Sequence, residues 1–189
     1  MPPTFNVLLA TIARSSLQRM LDSLKPQLHA EDCLTLVFDG RTKPGWVNLE
    51  GFACKIVIHE EPVALGYWGH GIRNKYTTLL EKRDFVMHGD DDDIYTSGTF
   101  DYLRENCCNN DCLYIGKMRL LGGSIVPIID NNPIRICNIG TPNGIIPYEL
   151  NKLGTWQTFH GGDGRFYEQI ARIAHSITYL DFIIYVVRP

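Results

Sequence analysis

The sequence predicts an α/β fold in which a mostly parallel central sheet is flanked by helices, with a smaller antiparallel section in the C-terminal half. Three observations carry that prediction. Short apolar runs alternate with segments of helical periodicity from residue 5 to residue 88, the pattern that buries parallel strands under helices. Beyond residue 112 the strand candidates crowd together, separated by turn residues rather than helices. Thr11, Asp39 and Asp90 each fall at or just past the end of a predicted strand, where open α/β sheets bind their ligands.

Taken in order, Phe5 to Ala10 is an apolar strand, and Leu17, Met20, Leu21 and Leu24 then mark one face of a helix capped by Ser15 or Ser16 and stopped near Pro26. Leu34 to Phe38 is a second strand, ended by the turn dipeptide Asp39-Gly40, and Lys55 to Ile58 a third. After Gly66, Gly69 and Gly71 comes a helical face of Ile72, Tyr76, Leu79 and Leu80, then the strand Asp84 to His88. These glycines spell no phosphate-binding fingerprint and indicate only close backbone approach. Strands are expected around 113–120, 123–129 and 134–139, divided by Gly122-Gly123 and Asn131-Asn132-Pro133. A helix bearing Phe166, Ile170, Ile173 and Ala174 and a strand from Ile177 to Val187 complete the pattern.

At 189 residues, 44% hydrophobic and 21% charged, without repeats or low-complexity tracts, the chain is expected to form one soluble globular domain. A net charge of -3 with no basic cluster argues against nucleic acid as a partner. Six cysteines are too few for a disulfide scaffold and no signal peptide is visible, so reduced thiols and a cytoplasmic setting are expected. Cys107, Cys108 and Cys112 lack a fourth ligand at zinc spacing, and the residues between them read as a turn. The longest apolar run, Phe182 to Val187, falls far short of the ~20 residues that span a bilayer, so no transmembrane segment is expected. The sequence stops directly after a strand, at Arg188-Pro189, which is compatible with one module of a longer polypeptide.

The run Asp90-Asp91-Asp92-Asp93 is the strongest chemical signal. Adjacent carboxylates repel by roughly 1 kcal/mol per pair at 4 Å in water, and by more where the dielectric falls. In an extended segment Asp90 and Asp92 point to one side, and paired carboxylates suit Mg²⁺ or Mn²⁺. A solvated turn, with Asp93 capping a helix that begins near Thr96, satisfies the same spacing. An EF-hand does not, because Tyr95 and Asp101 stand where its glycine and glutamate belong. A phosphohydrolase using Asp90 and Asp92 stays open, although that motif normally follows the first strand of its domain.

The segments NVLLATIARSSLQRMLDSLKPQ, LTLVFDG, GYWGHGIRNKY, DFVMHGDDDDIY and HGGDGRFYEQIA, in that order, resemble a compact GT-A glycosyltransferase of the family 2 type, and within it the small viral kind. The resemblance extends to about residue 175. It implies a single Rossmann-like GT-A domain over 1-189, with a nucleotide-sugar half to about residue 110 and an acceptor-side half from about 111. It also implies transfer of a sugar from a nucleoside diphosphate, UDP in this reading, to a carbohydrate hydroxyl with the help of Mn²⁺ or Mg²⁺.

Carried over residue by residue, Asp90-Asp91-Asp92 takes the DXD position: Asp92 resembles the direct metal ligand, Asp90 a metal or ribose contact, and Asp91 a further donor contact. Thr11 and Arg14 match the loop that meets base and ribose, and Asp39 the acceptor for a base N–H. Arg73 and Asn74 match a polar pair on the helix before the metal strand, where Arg73 would offer its fork to a phosphate. Gly162-Asp163 stands where the family has two acids, so Asp163 is the candidate general base if the reaction inverts the anomeric centre, and a sugar contact if it retains. His160 would complete the metal shell, and Trp156, with Gly162 on the acceptor side, would stack on a pyranose. Each has a purely structural alternative: a turn at Asp39, a cap at Thr11 or Asp163, a surface ion pair of Arg73 with Glu60 or Glu61, and core packing for Trp156. His88 is assigned to the core. A nucleotide-sugar or glycan-binding module without turnover is the non-enzymatic alternative. The transferred sugar, the acceptor and the stereochemistry are not encoded legibly.

Overall fold

Four apolar runs build the parallel half of the sheet. β1 (Phe5–Thr11) and β2 (Cys33–Phe38) are buried along their whole length, as strands covered on both faces must be, whereas β3 (Lys55–Glu60) is half-exposed at the sheet edge. β4 (Phe85–Asp90) pairs with β1 on the side away from β2, giving the parallel order β3-β2-β1-β4. Helix α1 (Leu17–Leu24) lays Leu17, Met20, Leu21 and Leu24 on the sheet, and α2 (His70–Tyr76) buries Ile72, Arg73 and Tyr76. The chain runs outward from β1 to β3, then returns past β1 to β4. The carboxyl ends of β1 and β4, in register at Ala10 and Asp90, therefore flank the point where the winding reverses, the usual ligand crevice of such sheets. The computed structural model describes residues 1–189.

The remaining elements are β5 (Ile94–Tyr95), α3 (Thr99–Asn106), β6 (Cys112–Arg119), β7 (Ile125–Val126), β8 (Gly144–Pro147), α4 (Tyr148–Asn151), α5 (Gly162–Ala171) and β9 (Ser176–Val186). β8 runs antiparallel between β4 and β6 and joins the two halves into one sheet, ordered β3-β2-β1-β4-β8-β6-β9-β5 with β7 on β6. β6 and β9 are parallel to each other, with register breaks between Ile115 and Met118. Phe166, Tyr167 and Ile170 of α5 pack with Trp156, Ile146 and Leu150 in a core cluster of their own. No helix is long and apolar enough to cross a membrane.

The expected antiparallel section is present, but its strands are placed differently. The run 123–129 supplies only the two residues of β7, and 134–139 forms no strand. The buried Asn138 amide explains the second departure: it donates to the carbonyls of Ile128 and Pro133 and accepts from the Ile128 N–H, offering the backbone a partner other than a ladder. β8 instead lies among Pro142, Asn143 and Pro147, which read as turn residues, yet it is buried at every position. α3 starts at Thr99 behind Gly98, so Asp93 is not its cap. α2 ends at Tyr76, short of Leu79, and α5 at Ala171, short of Ile173; both of those side chains are exposed. Ser16 occupies the N-cap position of α1 without a side-chain capping bond.

Replacing Asn138 with alanine leaves three partly buried backbone groups without their partner and should cost about 1–2 kcal/mol. Thermal melts should show the loss, and limited proteolysis should cut first between residues 128 and 138.

Candidate active site

The aspartate run ends β4 at Asp90 and passes through a turn at Asp91 and Asp92, and burial divides it into two pairs with different surroundings. Asp91 is fully buried. Its Oδ2 accepts from the Thr11 hydroxyl at 2.5 Å and from the N–H groups of Ile12 (3.1 Å) and Arg14 (3.3 Å), while Oδ1 meets the Arg14 guanidinium. Asp91 thus shapes the β1–α1 loop on which Thr11 and Arg14 lie. Asp93 is also buried and accepts the Arg188 N–H at 2.9 Å. With no guanidinium on it, burial, reinforced by Asp90 and Asp92, pushes its carboxyl up to about 7.

Asp90 and Asp92 are the partly exposed pair, with side chains 30% and 20% accessible. Asp90 Oδ1 accepts from Arg73 Nη2 at 2.6 Å, leaving Oδ2 without a protein partner. Asp92 Oδ2 accepts from Arg188 Nε at 3.0 Å, and its Oδ1 lies 3.9 Å from Arg14. The backbone N–H of Asp90 donates to the Tyr185 hydroxyl at 2.9 Å. The preceding Gly89 is required here, because a Cβ would sit 2.6 Å from Leu9 Cδ2.

Arg73 is wholly buried, and its fork is already engaged, with the carbonyls of Trp68 (2.8 Å) and Gly89 (3.1 Å) besides Asp90. It therefore has no face for a phosphate, and no surface pairing with Glu60 or Glu61 either; it holds Asp90 in place. Asn74 binds the backbone of Trp156 through both amide atoms, each at 2.8 Å, and so serves α2 as a brace rather than meeting a nucleotide. Asp39 accepts from Leu65 N–H (2.6 Å) and Gly66 N–H (2.8 Å), one on each oxygen, while still lining the cleft.

On the far side, Trp156 is 1% exposed and stacked on Phe166 with ring centroids 4.0 Å apart, so it presents no ring to a sugar. An amphipathic residue next to a polar loop reads as either core or platform, and packing against α5 made it core. Gly162 is buried with its Cα so near Gln157 that a Cβ would lie 2.1 Å from that carbonyl oxygen; no acidic side chain fits at this position. Asp163 sits in the first turn of α5, its Oδ1 accepting from Gly164 N–H at 2.8 Å. His160 is exposed and edge-on to Trp68 at 5.9 Å; it does not join Asp90 and Asp92 in a three-ligand cluster. His88 is fully buried, bonded to Asn151 at 2.9 Å, and burial lowers its pKa to about 3.

These segments enclose a cleft of about 370 Å³ at the β1/β4 crossover, lined by Thr11, Arg14, Asp39, Asp90, Asp92 and Asp163 among others. Sequence reasoning passed over Trp68, the Gly140–Pro142 turn, Met118 and Arg188, which also line it. Only Trp68 carried a usable signal, standing among glycines. As a donor set, Asp90 and Asp92 offer hard carboxylate oxygens at the cleft surface. Two such ligands fit a small divalent cation that draws its other oxygens from phosphate and water.

The same architecture occurs in solved structures. S. aureus TarS, residues 1–349, superposes with a TM-score of 0.75 at 17% identity over 97% of this chain and 60% of that one. The fold is GT-A. A longer TarS structure gives a TM-score of 0.76 at 17% identity, over 98% of this chain and 37% of that one, and TarS 1–349 with UDP-GlcNAc gives 0.75 at 17%, over 97% and 58%. The chain thus spans less than two thirds of these relatives, which are bacterial rather than viral. No protein-family model and no curated protein sequence matches it.

The two pairs of carboxylates should respond oppositely to substitution. Asp91→Ala removes a buried carboxylate and leaves the half-exposed Arg14 guanidinium and three backbone or hydroxyl donors without their partner, which should cost about 2–3 kcal/mol of stability. Asp92→Ala, at the surface, should cost no more than about 1 kcal/mol; denaturant unfolding of both variants measures the difference. Asp93 makes stability fall as pH rises through the window from 3.8 to about 7, because there the folded chain retains a proton that the unfolded chain releases. Asp93→Asn should flatten that slope in melts recorded between pH 4 and pH 8.

Proposed function

We propose that the protein is a glycosyltransferase that binds a UDP-sugar in this cleft and transfers the sugar to a carbohydrate hydroxyl. The observation that carries the proposal is convergence: Thr11 and Arg14, Asp39, the Asp90/Asp92 pair and Asp163 come from four separate segments and line one crevice. Support comes from the GT-A fold shared with TarS, a GT-A-like glycosyltransferase whose structures include complexes with UDP and with UDP-GlcNAc.

In this reading the base and ribose lie against the β1–α1 loop and Asp39, with the loop held in shape by Asp91. The diphosphate lies at Asp90 and Asp92, which would hold Mn²⁺ or Mg²⁺. Bound there, the ion would supply positive charge to offset that of the departing diphosphate. Arg73 keeps Asp90 oriented, and Arg14 and Arg188 flank Asp92. Asp163 receives the acceptor proton on Oδ2, its other oxygen being tied to the Gly164 N–H. The buried guanidinium on Asp90 disfavours the phosphohydrolase alternative, since a carboxylate held in a charge-assisted bond is a poor nucleophile.

Calorimetric titration with UDP tests the proposal. Mn²⁺ should tighten binding to the wild-type protein, and Asp92→Asn should weaken the Mn²⁺-dependent binding at least about tenfold. Equal affinity with and without metal in both proteins would overturn it.

A further inference from the structure

Between β3 and α2 the chain passes through four consecutive residues with positive φ: Gly66 (68°), Tyr67 (55°), Trp68 (53°) and Gly69 (80°). Glycine enters that region freely, whereas an aromatic residue stays there only when its surroundings hold it. Both ends of the segment are held. Asp39 accepts the N–H groups of Leu65 and Gly66, and the buried Arg73 donates to the Trp68 carbonyl at 2.8 Å. Gly69 lies so close to β1 that a Cβ would come within 2.8 Å of both Ala10 Cβ and Arg73 Nη1.

This strain does not serve burial. Trp68 is 63% exposed and Tyr67 54%. The Trp68 side lines the cleft together with Asp90 and Asp163. Its ring stands 5.9 Å from His160, on the turn that leads into Gly162 and Asp163, and 6.5 Å from His70 at the start of α2. A flat apolar surface is therefore held exposed at the cleft that Asp90, Asp92 and Asp163 also line. Trp156, the other tryptophan near this side of the molecule, is sealed in the core.

We propose that Trp68 is the sugar platform of the cleft, its indole face stacking on the C–H face of a pyranose ring seated between Asp90 and Asp163. A pyranose carries hydroxyls around its rim and C–H groups on its faces. A broad indole covers the apolar face, and carboxylates accept from the rim hydroxyls. The ring can belong to the nucleotide-sugar donor or to the carbohydrate acceptor. The inference rests on the nucleotide-sugar reading of this cleft, and its test separates the two.

The chain has three tryptophans, so a ¹⁵N spectrum resolves three indole N–H signals, with that of Trp68 identified by its loss in Trp68→Phe. UDP, UDP-glucose and UDP-GlcNAc are titrated with Mn²⁺, and methyl pyranosides are then titrated into UDP-saturated protein. A Trp68 shift with UDP-sugars beyond that with UDP assigns the donor ring; a shift with the glycosides assigns the acceptor. Trp68→Ala should keep UDP affinity within about twofold while weakening the sugar-dependent binding about fivefold, and Trp68→Phe should retain most of it. Trp68→Gly relieves the backbone and should melt no lower than wild type while losing sugar binding as the alanine variant does. Binding of UDP with a Trp68 signal unmoved by every saccharide overturns the platform and leaves the nucleotide reading standing. Glycoside shifts without UDP binding do the reverse, and silence toward all ligands overturns both.

Discussion

Four consecutive carboxylates can be gathered at the end of one strand only if each charge is answered, and the geometry around β4 follows from that requirement. Arg73 from α2 meets Asp90, Arg14 from the β1–α1 loop meets Asp91, and Arg188 from beyond β9 meets Asp92. Asp93 meets no guanidinium, and burial beside Asp90 and Asp92 raises its pKa. Three guanidiniums from three distant parts of the sequence are thereby drawn to one place. The loop after β1, helix α2 and the end of β9 thus meet at the aspartate run, above the apolar core that packs them.

Helix α2 transmits this constraint across the cleft. Only seven residues long, it gains little from helix propensity, and its side chains instead tie it to both walls. Arg73 grips Asp90 and the Trp68 carbonyl; Asn74 takes both backbone groups of Trp156; His70 bonds the Gln157 carbonyl at 2.6 Å. Since Gln157 also packs against Gly162, the position of Asp163 relative to Asp90 is set through this helix. Burial lowers the His70 pKa, against the opposing pull of the Gln157 carbonyl on its Nδ1.

Much of this was legible in the sequence because apolar periodicity reports burial. β1, β2 and β4 and the face of α1 lie where the runs and spacings put them, and Thr11, Asp39, Asp90, Asp92 and Asp163 all reach one cleft. Periodicity says nothing about partners. That Arg73 is buried against Asp90, that Trp156 belongs under α5 and that Asn138 replaces a strand with a side-chain-braced loop are long-range contacts, invisible to local pattern. β8 is hidden for a related reason: its glycine and proline mark turns locally, while its place between β4 and β6 comes from the sheet. Gly162, by contrast, departs from the related motif for a steric reason that only the Gln157 carbonyl reveals.

The charge balance of the cleft constrains what enters it. Asp39, Asp90, Asp92, Asp93 and Asp163 line it against the guanidiniums of Arg14 and Arg188, and Arg73 is too deeply buried to face a ligand. Even with Asp93 protonated, carboxylates outnumber cations. A diphosphate arriving alone would add negative charge to a negative crevice, at a cost that grows as water is excluded. In the proposed reading, a divalent ion held by Asp90 and Asp92 would offset that charge. Arg188 touches Asp92 at the surface, where such a pair is weak, whereas Arg73 is buried on Asp90. The two aspartates therefore differ in how they are held: Asp90 is fixed by a buried guanidinium, and Asp92 is tied only at the surface.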